Sequence, residues 1–222
     1  MVYILLIASV LIGYIIAVSI KTKEPAFLPI LLAFSGSFLL STTLFELLPE
    51  VFTTPSKKIG LFIMGGILLQ IILDFFSKGA EHGHVHIHSE KKAFPWLLFI
   101  SLSIHALLEG HPITGHDAML WGVIVHKIPI AIILSLFFKR AAFSSTTTIL
   151  FLFLFALMTP LGSWITSETS SLSRYQQEIN AIVIGIFLHV STTILFESSK
   201  NHSFNFSKMT AVIIAAVIAY FI

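Results

Sequence analysis

Ala118-Met-Leu-Trp-Gly-Val-Ile-Val-His126-Lys127-Ile-Pro129-Ile-Ala-Ile-Ile-Leu-Ser-Leu-Phe-Phe138 decides how this chain folds. The run is long and apolar enough to cross the hydrocarbon core of a bilayer, which takes about 20 residues of α-helix. A histidine, a lysine and a proline nevertheless stand near its middle. An ionisable group at that depth costs about 3 kcal/mol on insertion scales, so each needs a partner or a task. Proline removes one helical hydrogen bond and is expected to kink the span beside His126.

Comparable apolar runs lie on both sides, at 2–20, 27–48, 60–76, 94–113, 147–165, 179–196 and 210–222. The first has no basic segment before it and no small-residue cleavage pattern after it, so it is expected to be a retained helix. With 118–138 the chain has eight spans joined by short polar connections. The composition agrees: 56% of residues are hydrophobic, 11% are charged, and the mean hydropathy is +0.94. A net charge of +2 offers no footprint for nucleic acid, and the absence of cysteine excludes disulfides and thiolate metal sites. The expected architecture is all-α, a single multi-pass bundle over 1–222 embedded in lipid.

Basic residues set the orientation. With the N-terminus outside, the inner connections hold Lys21, Lys23, Lys78, Lys91, Lys92, Lys139, Arg140, Lys200 and Lys208, against Lys57, Lys58 and Arg174 outside. Both termini are therefore expected to be extracytoplasmic, with the protein in the plasma (inner) membrane. The second span reads Gly36-Ser-Phe-Leu-Leu-Ser-Thr-Thr-Leu-Phe-Glu46, and the seventh Gly185-Ile-Phe-Leu-His-Val-Ser-Thr-Thr-Ile-Leu-Phe-Glu197. The echo runs in opposite directions across the membrane. It suggests inverted repeats, spans 1–3 and 6–8, around a central hairpin of spans 4 and 5, an arrangement common in transporters.

In the fourth span His105 and Glu109 are four residues apart, which puts them on one helix face about 6 Å apart along the axis. Imidazole with carboxylate suits a borderline divalent cation. His126, at similar depth on the next span, can supply a third ligand. A short connection makes spans 4 and 5 expected antiparallel neighbours. Gly110 and Pro112 are expected to break the fourth span just beyond Glu109. Lys127 has two readings, a structural ion pair with Glu109 or a fixed cation standing where a second metal ion would bind. The segment 79–93 contains His82, His84, His86 and His88, an alternating pattern that binds transition metals loosely, on the cytoplasmic side by the charge argument. His111, His116 and Asp117 form a candidate entry station, and His189 is a candidate pathway residue.

The motifs His105-Ala-Leu-Leu-Glu109-Gly110 and His126-Lys127-Ile-Pro129 together resemble spans 4 and 5 of the ZIP (ZRT/IRT-like) family of metal-ion transporters. Leu47-Leu48-Pro49-Glu50, the histidine-rich loop, Pro160-Leu161-Gly162 and the stretch 185–197 agree with it. The resemblance implies eight helices and uptake of a divalent metal into the cytoplasm. Zinc is the first expectation; Fe2+, Mn2+ and Co2+ are also admitted by imidazole and carboxylate ligands, and a homodimer is a permitted assembly. It carries the metal site onto His105, Glu109 and His126. Many members have glutamate at the position of Ile130, second-metal ligands at the positions of Ala106 and Lys127 in binuclear members, and often histidine at that of Glu46. These departures imply a single-metal site.

Two other functions fit membrane-embedded histidines. A zinc hydrolase would need a separate carboxylate base, with Asp74 and Glu197 as candidates. A haem electron carrier would use His105, His126 or His189 as axial ligands but leave Glu109 and the histidine-rich loop without a task. The loop generates a direct test. Replacing His82, His84, His86 and His88 with serine is expected to abolish loose metal binding by the segment while leaving uptake into proteoliposomes measurable. Complete loss of uptake by a well-expressed variant would make the loop part of the transport path.

Overall fold

The computed structural model describes residues 1–21, 25–53, 57–77, 94–197 and 206–222. The histidine-rich segment therefore lies outside the described residues. Seven helices among them are long and apolar enough to cross a membrane: span 1 (Val2–Ser19), span 2 (Leu28–Val51), span 3 (Lys57–Ser77), span 4 (Trp96–Ile113), span 5 (Asp117–Arg140), span 6 (Ser145–Glu168) and span 7 (Gln176–Phe196). A shorter apolar helix, Phe206–Tyr220, is span 8. The molecule is a multi-pass helical bundle.

Several helices run past the apolar runs that announce them. Span 2 continues to Val51 because Thr43–Leu47 forms a π-turn and Pro49 falls in the first turn of the following segment Leu48–Val51, where its missing N–H is not needed. Spans 3 and 7 begin on polar residues, Lys57 and Gln176, ahead of their apolar stretches. Helical hydrogen bonding extends into the interfacial layer, where polar side chains are at home, so hydropathy alone reads the spans too short.

The break expected in span 4 is present. In span 4 the α-helix ends at Glu109, with Gly110 as its cap, and a 3-10 turn His111–Ile113 follows. Span 5 stays helical through Pro129. Its backbone there is pressed on by span 1: a Cβ added at Gly13 would stand 2.5 Å from Ala131 Cβ and 2.7 Å from the Ile128 carbonyl oxygen. Spans 1 and 5 thus pack closely beside the proline.

The packing pairs have an internal order. Span 1 packs on span 5 and span 6 on span 4; span 3 packs on span 7 and span 2 on span 8; spans 1 and 6 meet, as do spans 2 and 7. Exchanging 1 with 6, 2 with 7, 3 with 8 and 4 with 5 maps these pairs onto one another, whereas the packing of span 2 on 5 and of span 3 on 4 has no equally extensive counterpart. Spans 4 and 5 are not the close antiparallel neighbours their short connection predicts. Each is drawn onto other partners, span 4 onto 6 and 3, span 5 onto 1 and 2. The space between them is bridged by long polar side chains.

Glycines set the closest seams. A Cβ on Gly66 would collide with the Ile182 carbonyl, and one on Gly185 with the Ile63 carbonyl, so spans 3 and 7 interlock reciprocally. Gly162 of span 6 meets the Leu107 carbonyl of span 4 in the same way. Small residues of this kind let backbones approach where lipid supplies no hydrophobic drive between helices. The outward faces carry large exposed apolar side chains, Leu61, Met64, Leu68, Ile72 and Phe75 on span 3 among them. Such a surface is abnormal in water and ordinary in lipid.

Gly66→Ala is expected to lower the thermal midpoint in detergent, since overpacking costs about 1–3 kcal/mol. The adjacent Gly65→Ala, where an added Cβ meets nothing within 4 Å, is expected to leave the midpoint unchanged or raise it slightly. Thermal unfolding followed by size-exclusion chromatography compares the two.

Candidate metal centre

One ligand atom each from His105, Glu109 and His126 lie within 4.8 Å of one another, and all three residues are buried. Among the described residues this is the one group of three or more such side chains close enough to hold a metal ion. The i, i+4 spacing brings His105 and Glu109 onto the inward face of span 4. Span 5 presents His126 across the gap, with the two imidazole centroids 6.4 Å apart and their planes at 65°. The rings are therefore not stacked, and their nitrogens can converge on a point between them.

Glu109 is the electrostatic centre. Its Oε2 lies 2.9 Å from the ammonium of Lys127, in an ion pair whose side chains are 1% and 2% exposed respectively. The same oxygen accepts a hydrogen bond from Thr159 Oγ1 of span 6 at 3.4 Å. The Lys127 ammonium also sits 4.6 Å from the centroid of the Phe155 ring, again on span 6. Glu109 Oε1, by contrast, is buried with no hydrogen-bond partner among the described residues. A carboxylate oxygen left in that condition is costly unless something cationic or protic meets it. One oxygen is committed to the protein and the other is left for a visitor.

His105 is held from the other side. Its Nδ1 lies 3.0 Å from Gln70 Oε1, and Gln70 Nε2 donates to Asp74 Oδ1 at 2.9 Å. His189 Nε2 lies 2.8 Å from Asp74 Oδ2. His189 is thus joined to the cluster through span 3. Gln70 was not among the residues singled out above, and Asp74 entered only as a hydrolytic base. The signal was present: Gln70 and Asp74 are themselves an i, i+4 polar pair in an otherwise apolar span. Thr159 and Phe155 carry no such signal, being ordinary residues of an apolar helix.

The remaining candidates go elsewhere. His111 is buried with Nδ1 2.9 Å from Thr166 Oγ1. His116 places Nε2 3.1 Å from Glu50 Oε2, with Nδ1 donating to the Pro112 carbonyl at 3.1 Å. Asp117 is exposed. The structure does not gather His111, His116 and Asp117 into one station; Glu50, joined by Asn180 at 3.4 Å, takes the place beside His116. Glu46 lies on the exposed side of the π-turn in span 2. Ala106 and Ile130 are buried in an apolar cluster with Leu102, Leu134 and Phe155. Positions 106 and 130 are thus filled by hydrocarbon, and position 127 by an ammonium.

No protein-family model matches the chain. Two curated proteins are similar to it. Protein zntD of Dictyostelium discoideum is 27% identical over 150 residues, covering 58% of this chain and 22% of the relative. The other covers 55% of this chain and 44% of the relative, so the chain spans less than half the length of either protein it matches. That second relative, similar to this chain at 27% identity over 134 residues, is zinc transporter ZIP1 of Danio rerio.

Proposed function

We propose that this protein moves a divalent metal ion, zinc first, across a membrane into the cytoplasm through a single site formed by His105, Glu109 and His126. The observation that carries the reading is the convergence of two imidazoles and a carboxylate within 4.8 Å, buried between spans 4 and 5. Similarity to a zinc transporter supports the cargo. The excess of basic residues on the inner connections supports extracytoplasmic termini.

The geometry accounts for binding that remains reversible. Two neutral imidazoles and Glu109 Oε1 offer three ligands to an ion of zinc's preference, leaving room for water or a further ligand as it moves through. Lys127 opposes it. Two unit charges about 4 Å apart interact by about 4 kcal/mol at an effective dielectric of 20, and a divalent ion doubles the effect. With the site empty, Lys127 compensates the buried Glu109. With the site filled, the same ammonium repels the ion. The two readings of Lys127 therefore describe one residue in two states.

The hydrolase alternative names Asp74 and Glu197 as base candidates. Asp74 is engaged by Gln70 and His189 and stands two links from the ligand cluster, while the side chain of Glu197 lies outside the described residues.

Zinc uptake into proteoliposomes tests the assignment. His105→Ala and Glu109→Ala are each expected to lower the initial rate about tenfold or more, the lower end of what even outer-shell substitutions cost a metal site. Normal rates from either variant at equal reconstitution would overturn it. Lys127→Met is expected to lose thermal stability without metal, because removing one partner of a buried pair costs about 3–5 kcal/mol. Added zinc is expected to restore it, with a larger metal-induced shift of the midpoint than the unmutated protein shows. Equal shifts would mean that Lys127 does not compete with the ion.

A further inference from the structure

We propose that Gln70 is a positioning residue that locks His105 in the tautomer whose Nε2 carries the lone pair, with Asp74 as the anchor that sets the direction of the lock. The inference rests on His105 being a metal ligand and goes beyond that reading by assigning the task to a residue on another span.

The argument follows the polarity of three consecutive contacts. The Asp74 carboxylate only accepts hydrogen bonds when ionised. The atom of Gln70 that faces it at 2.9 Å must then be the amide nitrogen. An amide whose nitrogen points to Asp74 turns its oxygen the other way, and that oxygen is 3.0 Å from His105 Nδ1. A carbonyl oxygen cannot donate, so Nδ1 must carry the proton, and in a neutral imidazole the lone pair then belongs to Nε2. His189 Nε2, 2.8 Å from the second oxygen of Asp74, donates to it in the same sense. Each link permits one orientation, and the orientations agree. Gln70 is fully buried, so no bulk water competes for its amide. Spans 3 and 7, which bring Asp74 and His189 together, are the pair interlocked through Gly66 and Gly185. The anchor therefore sits on the tightest seam of the bundle.

A metal-ligating histidine with the wrong tautomer must move its proton before it can bind. A partner that fixes the tautomer removes that cost and also fixes the plane of the ring. Gln70 does both for His105 and carries no charge that would alter the attraction for the ion.

The test uses the full-length protein in detergent, labelled with 15N and 13C at histidine. In the metal-free protein, the His105 ring, assigned by its disappearance in His105→Ala, is expected to show the Nδ1–H tautomer in two-bond nitrogen–proton correlations. Finding Nε2–H in the unmutated protein would overturn the proposal with no variant needed. Gln70→Leu is expected to lose the Nδ1–H signature and to weaken zinc binding, measured by calorimetry, by about 10- to 100-fold. The double substitution Gln70→Glu/Asp74→Asn reverses which residue carries the charge but keeps every donor facing an acceptor, so it is expected to restore both tautomer and affinity. A structural role alone predicts that the double variant is at least as damaged as Gln70→Leu, and that result would count against the lock, as would unchanged affinity in a folded Gln70→Leu. Unchanged zinc binding by His105→Ala would instead sink the ligand assignment on which the inference stands.

Discussion

A carboxylate enclosed among apolar helices is the condition to which the rest of this molecule is fitted. Glu109 stands at the end of an α-helix with 1% of its side chain exposed, where an uncompensated charge would cost more than any one packing contact returns. Compensation fixes the neighbours. Lys127 must reach it from span 5, Thr159 donates to it from span 6, and Phe155, one turn before Thr159, supports the ammonium with its ring face. The registers of spans 4, 5 and 6 are thus tied together at one depth. The same arrangement leaves Oε1 open, so the group that demands most from the fold is also the group that can receive a cation.

The second tie runs the other way, from His105 through Gln70 and Asp74 to His189. It joins spans 4, 3 and 7. The first tie sets charge; the second sets geometry, since none of its hydrogen bonds can be reversed without leaving two donors or two acceptors face to face. A metal site needs both. Ligand identity alone gives affinity in principle, and outer contacts decide whether the lone pairs are presented together.

Much of this was legible in the chain. Apolar runs interrupted by polar connections gave the eight helices, because in lipid a backbone has almost no other way to satisfy its hydrogen bonds. The i, i+4 pair His105 and Glu109 with His126 on the next span named the cluster that the fold assembles. What escaped has physical reasons. Helix ends were read short because polar residues in the interfacial layer remain helical. Glu46 turned outward on a π-turn, which changes the facing of the residues that follow and leaves no mark in hydropathy. Gln70, Thr159 and Phe155 reach the site from spans distant in sequence, and nothing local distinguishes Thr159 from the many hydroxyls elsewhere.

Those hydroxyls have a consequence for how the protein can change over generations. Ser9, Ser35, Thr43, Ser101, Ser135 and Thr192 all turn back to carbonyls three or four residues earlier in their own helices. Their hydroxyls satisfy themselves locally. Four directed side-chain links between helices, Lys127 to Glu109, Thr159 to Glu109, His105 to Gln70 and His189 to Asp74, surround the candidate site, while others such as Ser37 to the Val212 carbonyl and Lys58 to Glu178 lie away from it. At the site, cohesion and ligand chemistry therefore share residues. A lineage that altered ion preference by exchanging one of them would loosen the bundle in the same step, so such changes are expected to arrive in concert, with compensating exchanges on the facing helix, while the lipid-facing surface drifts freely.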